Sequence, residues 1–235
     1  MTARAALFDV DGTLADTNHL HVTCWWEALR QSGHRVPMHA VHRAVGLPGA
    51  DLTAHLLGPA PAGDGDGNGN GNGNGEYERI GTAHDVLYAT WFDRLPALDG
   101  AAGLLRRLAA DGWRVVLVTS ASGTELDALR RAINADDAIT ACTSSDDVEH
   151  GKPHPEPVRE GLRLAGAEPG GAVFVGDTVW DMRAGTRAGV PCVGLLCGGI
   201  PRADLLEAGA RAVYDGPWDL LARLDTSPFA RTAPG

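Results

Sequence analysis

The sequence of 235 residues contains 30 acidic and 20 basic residues, which gives a formal net charge of −10. This balance argues against a nucleic-acid-binding protein, because such a protein needs a basic surface to displace the counterions of the phosphates. The apolar runs fall far short of the about 18 residues that indicate a membrane helix, so no membrane partner is expected. Of the Lys and Arg residues, only Lys152 is a lysine.

The cysteines and the N-terminal segment bear on the cellular compartment in which the protein is found. Cys24, Cys142, Cys192 and Cys197 have no partnering histidines at zinc spacing, which is typical of buried thiols in a reducing environment. The chain reaches Asp9 before the apolar core of an export signal could form. We therefore expect a cytoplasmic protein.

Six short apolar segments have the length and composition of buried parallel strands, because they are apolar without alternation. They are Ala5–Val10, Arg114–Thr119, Ile139–Thr143, Ala172–Gly176, Val190–Leu196 and Ala212–Tyr214. Amphipathic helices are predicted among the later ones, at Ala101–Ala110 and Thr124–Ile133. Since strands and helices alternate, the sequence predicts an α/β fold with a doubly wound, Rossmann-like parallel sheet.

Residues 17–95 break this alternation with three helical patterns, at His21–Leu29, Ala40–Leu57 and Glu76–Leu95. We interpret them as an inserted α-helical cap domain, with residues 1–16 and 96–235 forming the α/β core. An insertion that follows the first strand directly is expected over the carboxyl ends of the strands, where open α/β sheets bind ligands.

A tract at residues 63–75 inside this insertion has glycine at every second position. Such a tract cannot bury enough apolar surface to offset its entropy and is predicted to be a flexible linker. Asp64, Asp66 and Asn68 match the first half of a calcium loop, but the twelfth position is Gly75 and Glu76 comes one residue too late. The linker interpretation is therefore preferred.

Polar residues gather at the carboxyl ends of three of the predicted strands. They are Asp9 and Asp11, then Thr119 and Ser120, then Asp177 and Asp181. The carboxyl ends of parallel strands meet at one edge of a sheet, so these side chains are expected in one crevice. Carboxylates held close together repel one another unless a cation or a shared proton relieves them. An all-oxygen cluster of this kind suits Mg²⁺.

Four motifs along the chain resemble, in order and spacing, the signature of the haloacid dehalogenase (HAD) superfamily. They are Asp9-Val10-Asp11-Gly12-Thr13-Leu14, then Thr119, then Lys152-Pro153, then Gly176-Asp177 with Asp181. The resemblance extends from Ala5 to about Leu224. Asp16-Thr17 followed by His21 is similar to the entry to the helical cap in the phosphoglycolate phosphatase and beta-phosphoglucomutase branch.

The resemblance implies a Mg²⁺-dependent phosphatase that hydrolyses a small phosphorylated metabolite through an aspartyl phosphate. Asp9 would be the nucleophile, and Asp11 the general acid and base. Thr119 and Lys152 would stabilise the phosphoryl group. The implied metal ligands are Asp9, the Asp11 carbonyl and Asp177. Asp181 would orient Lys152 or a metal-bound water, and the amides near Gly12 would bind phosphate.

Several assignments stay open from the sequence. His21 is either a polar group of the substrate pocket or an ordinary histidine on an amphipathic helix. Ser120 either donates to the phosphate or caps the next helix. A sugar phosphomutase is an alternative function, but the stretch 46–51, where that branch places a phosphate-binding arginine, has no basic residue. A non-catalytic binding module is less favoured, because an idle site has no need of clustered carboxylates.

Overall fold

The computed structural model describes residues 3–59, 72–143 and 147–231. The chain divides into two compact units, one made of Met1–Thr17 with Arg94–Gly235 and the other of Asn18–Asp93. In the described residues, no helix is long and apolar enough to cross a bilayer. The functional assignment of the second unit as a cap stays a prediction.

The first unit is built on a six-stranded sheet whose strands are all parallel. The strands are β1 (Ala5–Phe8), β2 (Arg114–Val118), β3 (Ile139–Thr143), β4 (Ala172–Gly176), β5 (Cys192–Leu195) and β6 (Ala210–Tyr214). Their order is β3-β2-β1-β4-β5-β6. Each coincides with one of the six predicted segments, with both ends of every strand within two residues of the prediction. The prediction of a doubly wound α/β fold is confirmed.

Eleven α-helices are present in the described residues. The helical unit contains α1 (Asn18–Gln31), α2 (Met38–Ala44), α3 (Gly49–Leu57) and α4 (Asn72–Ala89). The sheet unit contains α5 (Ala101–Ala110), α6 (Gly123–Ile133), α7 (Glu156–Ala165), α8 (Val179–Arg187), α9 (Arg202–Glu207), α10 (Pro217–Ala222) and α11 (Pro228–Arg231). The predicted helices at 101–110 and 124–133 correspond to α5 and α6.

Side chains of the central strand β1 alternate between the two faces of the sheet, and helices cover both faces. Leu7 belongs to a buried cluster that includes Val158 of α7 and Met182 of α8. On the opposite face, the ring of Phe8 stacks on Phe229 of α11 at 6.4 Å between centroids. Because helices cover both faces, the carboxyl ends of the strands are the part of the sheet where a ligand site is expected.

The position of β1 in the sheet brings the predicted site residues together. Phe8, its last residue, pairs with Leu117 of β2 on one side and Val175 of β4 on the other. The residues that follow these three strands are therefore neighbours at one edge. This register is the reason that motifs more than 100 residues apart in the chain share one site.

The helical unit has its own core, formed by Val22, Trp25 and Leu29 of α1 with Leu52 and Ile80. The bounds of the helices differ from those predicted at several points; α4, for instance, ends at Ala89 and not at Leu95. The single helical pattern at 40–57 is two helices, because Gly46 has a φ of 97° and Pro48 precedes α3.

The predicted linker at 63–75 is only partly within the described residues. Helix α4 begins at Asn72, so residues 72–75 are helical and that part of the linker prediction is wrong. Residues 63–71, including the calcium-loop match at Asp64, Asp66 and Asn68, lie outside the described residues.

Candidate active site

Asp9 lies at the centre of the site, directly after β1. Its amide donates a hydrogen bond to the Val175 carbonyl at 2.9 Å, which extends the pairing with β4 by one residue. The side chain is buried and forms an ion pair with the Lys152 ammonium through Oδ1. A short strand therefore presents one carboxylate at the sheet edge with little freedom to move.

A tight turn after Asp11 returns the chain to the site. Gly12 has a φ of 74°, a conformation that favours glycine, and its amide donates to the Ala15 carbonyl at 2.8 Å. The turn brings the Thr13 hydroxyl to 2.8 Å from Asp177 Oδ1 and 3.4 Å from Asp9 Oδ2. The Gly12 amide is thus engaged within the turn, and its contact with phosphate stays a prediction.

Thr17 orients the second aspartate of the first motif. Its hydroxyl donates to Asp11 Oδ1 at 2.6 Å, and Thr17 itself is fully buried. A rigid donor of this kind fixes the direction of the Asp11 carboxylate. The metal contact predicted for Asp11 involves its main-chain carbonyl rather than this carboxylate, and it stays a prediction.

Lys152 lies in the segment between β3 and α7 and points into the carboxylate cluster. Its Nζ pairs with Asp9, lies 2.8 Å from Asp181 Oδ1, and lies 5.5 Å from the centre of the Phe174 ring. Burial alone would lower the pKa of Lys152, but its attraction to Asp181 and Asp9 outweighs burial and holds the pKa above its usual range. The ammonium is therefore charged at neutral pH.

Asp181 is held in place by the start of α8. Thr178 is the N-cap residue; its amide and hydroxyl donate to Asp181 Oδ2 at 3.0 and 2.6 Å, and its hydroxyl accepts from the Asp181 amide at 3.2 Å. This capping box occupies Oδ2 and leaves Oδ1 directed at Lys152. Of the two tasks proposed for Asp181, the geometry supports the orientation of Lys152.

The surroundings of the Asp9 carboxyl group disfavour its ionised form. Burial, together with the nearby Asp181 and Asp11 carboxylates, raises its pKa to about 7, although Lys152 acts in the opposite direction. A single ammonium among four aspartates leaves a surplus of negative charge. A bound cation would relieve this surplus.

The residues at this edge fit a magnesium ion. Carboxylate oxygens of Asp9, Asp177 and Asp181 lie within 4.8 Å of one another. Asp177 is fully buried, and a Cβ built on Gly198 would lie 1.7 Å from its Oδ2. Only glycine at position 198 leaves the Asp177 carboxylate in its place. Hard, anionic oxygen ligands in this arrangement are those that Mg²⁺ prefers.

The hydroxyls after β2 differ in their surroundings. Thr119 is buried, and its Oγ1 accepts a hydrogen bond from the Ala121 amide at 3.0 Å. Ser120 is exposed, and the N-cap residue of α6 is Ser122. The capping alternative for Ser120 is therefore wrong, while phosphate contacts of Thr119 and Ser120 stay predictions.

His21 belongs to a buried aromatic cluster of the helical unit. Its Nδ1 lies 3.1 Å from Nε2 of His84, whose Nδ1 lies 2.9 Å from Asp85 Oδ1. The His21 ring also packs on Tyr88, and that of His84 stacks on Trp25. Residue patterns alone did not reveal His84 as a partner of His21, because the two are 63 residues apart. Substrate contact by His21 stays a prediction.

The bridging hydroxyl of Thr13 leads to a testable prediction. We expect Thr13→Val to weaken the apparent Mg²⁺ affinity by about 10–100-fold, because Asp177 and Asp9 lose the donor that orients them. Thr13→Ser keeps the hydroxyl and should remain close to the parent. The measurement is the Mg²⁺ concentration that gives half-maximal phosphate release. Equal values for the valine variant and the parent would contradict this role.

The sheet and the motifs at its edge define an enzyme of the doubly wound α/β class. The family model for haloacid dehalogenase-like hydrolases matches residues 3–189, and the chain belongs to this family of hydrolases.

Known proteins similar to this chain agree with that membership. Pyrophosphatase PpaX of Bacillus cereus (strain AH820) is 27% identical over 190 residues, which are 80% of this chain and 81% of PpaX. A hydrolase from Pseudomonas syringae is 30% identical, with a TM-score of 0.85 over 95% of this chain and 98% of its own. CbbY from Rhodobacter sphaeroides, solved in complex with phosphate, is 26% identical, with a TM-score of 0.73 over 96% of this chain and 100% of its own.

Proposed function

We propose that the protein is a Mg²⁺-dependent phosphatase that hydrolyses a small phosphorylated metabolite, of the sugar phosphate or phosphoglycolate type, through an aspartyl-phosphate intermediate. The observation that carries the proposal is the group of Asp9, Asp177 and Asp181 oxygens within 4.8 Å of one another, beside the buried Lys152 ammonium. A phosphatase in this family needs such an arrangement, with a carboxylate nucleophile and positive charge for the phosphoryl group.

In the first step, an Asp9 oxygen attacks phosphorus, and the bond from phosphorus to the ester oxygen breaks. The nucleophile must be ionised, and the Lys152 ion pair favours that form. A magnesium ion held by Asp9, the Asp11 carbonyl and Asp177 would supply the positive charge that lets two anionic groups approach. Lys152 and Thr119 stabilise the negative charge of the phosphoryl oxygens.

Asp11 moves the protons in both steps. In the first step it donates a proton to the departing ester oxygen, and in the second it accepts one from the water that attacks the aspartyl phosphate. The hydrogen bond from Thr17 at 2.6 Å holds the carboxyl group in one orientation for both transfers. Phosphate and free Asp9 are the products of the second step.

The helical unit and the cysteines bear on substrate selection and on the location of the protein. We assign selection to the helical unit, with His21 as a polar group of the pocket. The four cysteines carry free thiols, and burial raises the pKa of Cys192 and Cys197 to about 12. Unreactive thiols of this kind support the cytoplasmic location expected from the sequence.

The test is phosphate release from an aryl phosphate by the full chain. We expect release with Mg²⁺ supplied and none after chelation, with recovery when Mg²⁺ is restored, because the acidic cluster repels a phosphate anion without the ion. A parent protein that is inactive with the metal present, or equally active after chelation, would refute the assignment. A panel of sugar, glycolyl and nucleoside monophosphates then identifies the preferred substrate class, and isomerisation of a sugar phosphate without phosphate release would indicate a mutase.

A further inference from the structure

A separate group of metal-binding side chains flanks Lys152 in the chain. His150, His154 and Glu156 each offer one ligand atom, and the three atoms lie within 4.8 Å of one another. The side chains of His150 and His154 are 63% and 48% exposed, so an ion can reach them from solvent. The proposed phosphatase mechanism uses none of the three.

The two distances from Glu156 to the imidazole nitrogens are close to those around a single small ion. Glu156 Oε2 lies 3.3 Å from His150 Nδ1 and 3.5 Å from His154 Nδ1. In a tetrahedral zinc site with bonds of about 2.0–2.1 Å to nitrogen and oxygen, neighbouring ligand atoms are roughly 3.3–3.4 Å apart. The side chains therefore need little movement to bind one ion together.

Main-chain hydrogen bonds hold the Glu156 carboxylate beside the two imidazole rings. The Glu149 amide donates to Oε1 at 2.9 Å, and the His150 amide donates to Oε2 at 3.2 Å. The carboxylate is therefore held in a position where it can share one cation with His150 and His154.

We propose that His150, His154 and Glu156 form a binding site for a divalent transition-metal ion of the zinc type, separate from the magnesium site. Two imidazole nitrogens with one carboxylate are a ligand set of Zn²⁺, whereas Mg²⁺ selects oxygen ligands. Three protein ligands leave a fourth position for water. A bound ion closes the segment from His150 to Glu156 into a ring that contains Lys152, and so limits the motion of that residue.

The test is a calorimetric titration of the metal-free full chain with Zn²⁺ in the presence of excess Mg²⁺, which occupies the all-oxygen site. We expect one equivalent to bind. The double variant His150→Ala/His154→Ala should bind Zn²⁺ at least about 100-fold more weakly, since losing even an outer-sphere partner costs about 10–100-fold. Glu156→Gln should also weaken binding.

A matched control removes a different pair of neighbouring histidines. The rings of His19 and His42 lie 5.4 Å apart, and His19→Ala/His42→Ala should keep the affinity of the parent. Zn²⁺ should also shift the imidazole NMR signals of His150 and His154 in the unmodified chain, a measurement that needs no variant to fold. Absence of binding by the parent, or equal affinity in the His150/His154 variant, overturns the proposal. Phosphate release is not measured, so these outcomes are independent of the proposed phosphatase activity.

Discussion

Asp9→Asn is expected to abolish phosphate release from an aryl phosphate, with a loss of at least about 10³-fold in kcat. The amide has nearly the shape of the carboxylate but cannot form the aspartyl phosphate, so no intermediate accumulates. Steady-state kinetics at saturating Mg²⁺ measure the loss, and mass spectrometry of acid-quenched protein should find a phosphoryl adduct in the parent and none in the variant. Activity that persists in the variant would refute the nucleophile assignment.

The stability of the same variant separates lost chemistry from lost folding. The pKa of Asp9 is raised from 3.8 to about 7 in the folded, metal-free protein. The folded state therefore holds this proton more tightly than the unfolded state, so stability falls as pH rises from about 4 to about 7 and stays low above that. Replacing Asp9 by asparagine removes that loss, so the Tm of the metal-free variant near pH 8 should equal or exceed that of the parent. A clearly lower Tm there would mean that misfolding explains the inactivity.

An exposed aspartate provides the matched substitution. Asp225 has a side chain that is 88% exposed and contacts Arg107 at 3.4 Å. Asp225→Asn removes the same charge at a position that lies outside the predicted motifs and has no proposed role in catalysis. It should leave kcat unchanged and shift stability by no more than about 0.5 kcal/mol.

The fold could be predicted from the sequence because its signals are local. Each buried parallel strand is a short apolar run, and β1 to β6 were all found in this way. The break between α2 and α3 was missed although Gly46 and Pro48 mark it, because the helical spacing on either side is continuous enough to suggest one element. The start of α4 at Asn72 was missed because glycine and asparagine are poor helix formers, so residues 72–75 show no helical preference in the sequence.

Only those site residues that follow a strand or belong to a motif could be predicted from the sequence. Asp9 and Asp177 follow β1 and β4, so their proximity follows from the parallel sheet. The bridge from Thr13 to Asp177 spans 164 residues and depends on the exact path of a turn, which residue types alone do not specify. Gly198 was missed for a similar reason. It matters because a side chain at this position would collide with Asp177, and the sequence does not show which residue a glycine contacts.

Lys152→Arg is expected to lower kcat by at least about tenfold although the charge is kept. The Lys152 ammonium is buried between Asp9 and Asp181, with the Phe174 ring 5.5 Å from it. A guanidinium is wide and planar, so it can pair with one carboxylate in its plane only by displacing the other or the ring. Displacement of Asp9 misaligns the nucleophile. Steady-state kinetics with an aryl phosphate, under the conditions used for the parent, measure the effect.

Two further substitutions make the result specific to the shape of the cation. Lys152→Ala removes the charge and should cost about 10²–10³-fold in kcat, more than the arginine variant. Arg163→Lys makes the opposite exchange on a side chain that is 68% exposed, and should leave kcat unchanged. Since 19 of the 20 Lys and Arg residues are arginine, a position that needed only positive charge would be expected to carry arginine as well. Near-normal turnover of Lys152→Arg would show that a positive charge alone suffices at position 152. Catalysis would then not explain why this position carries the single lysine.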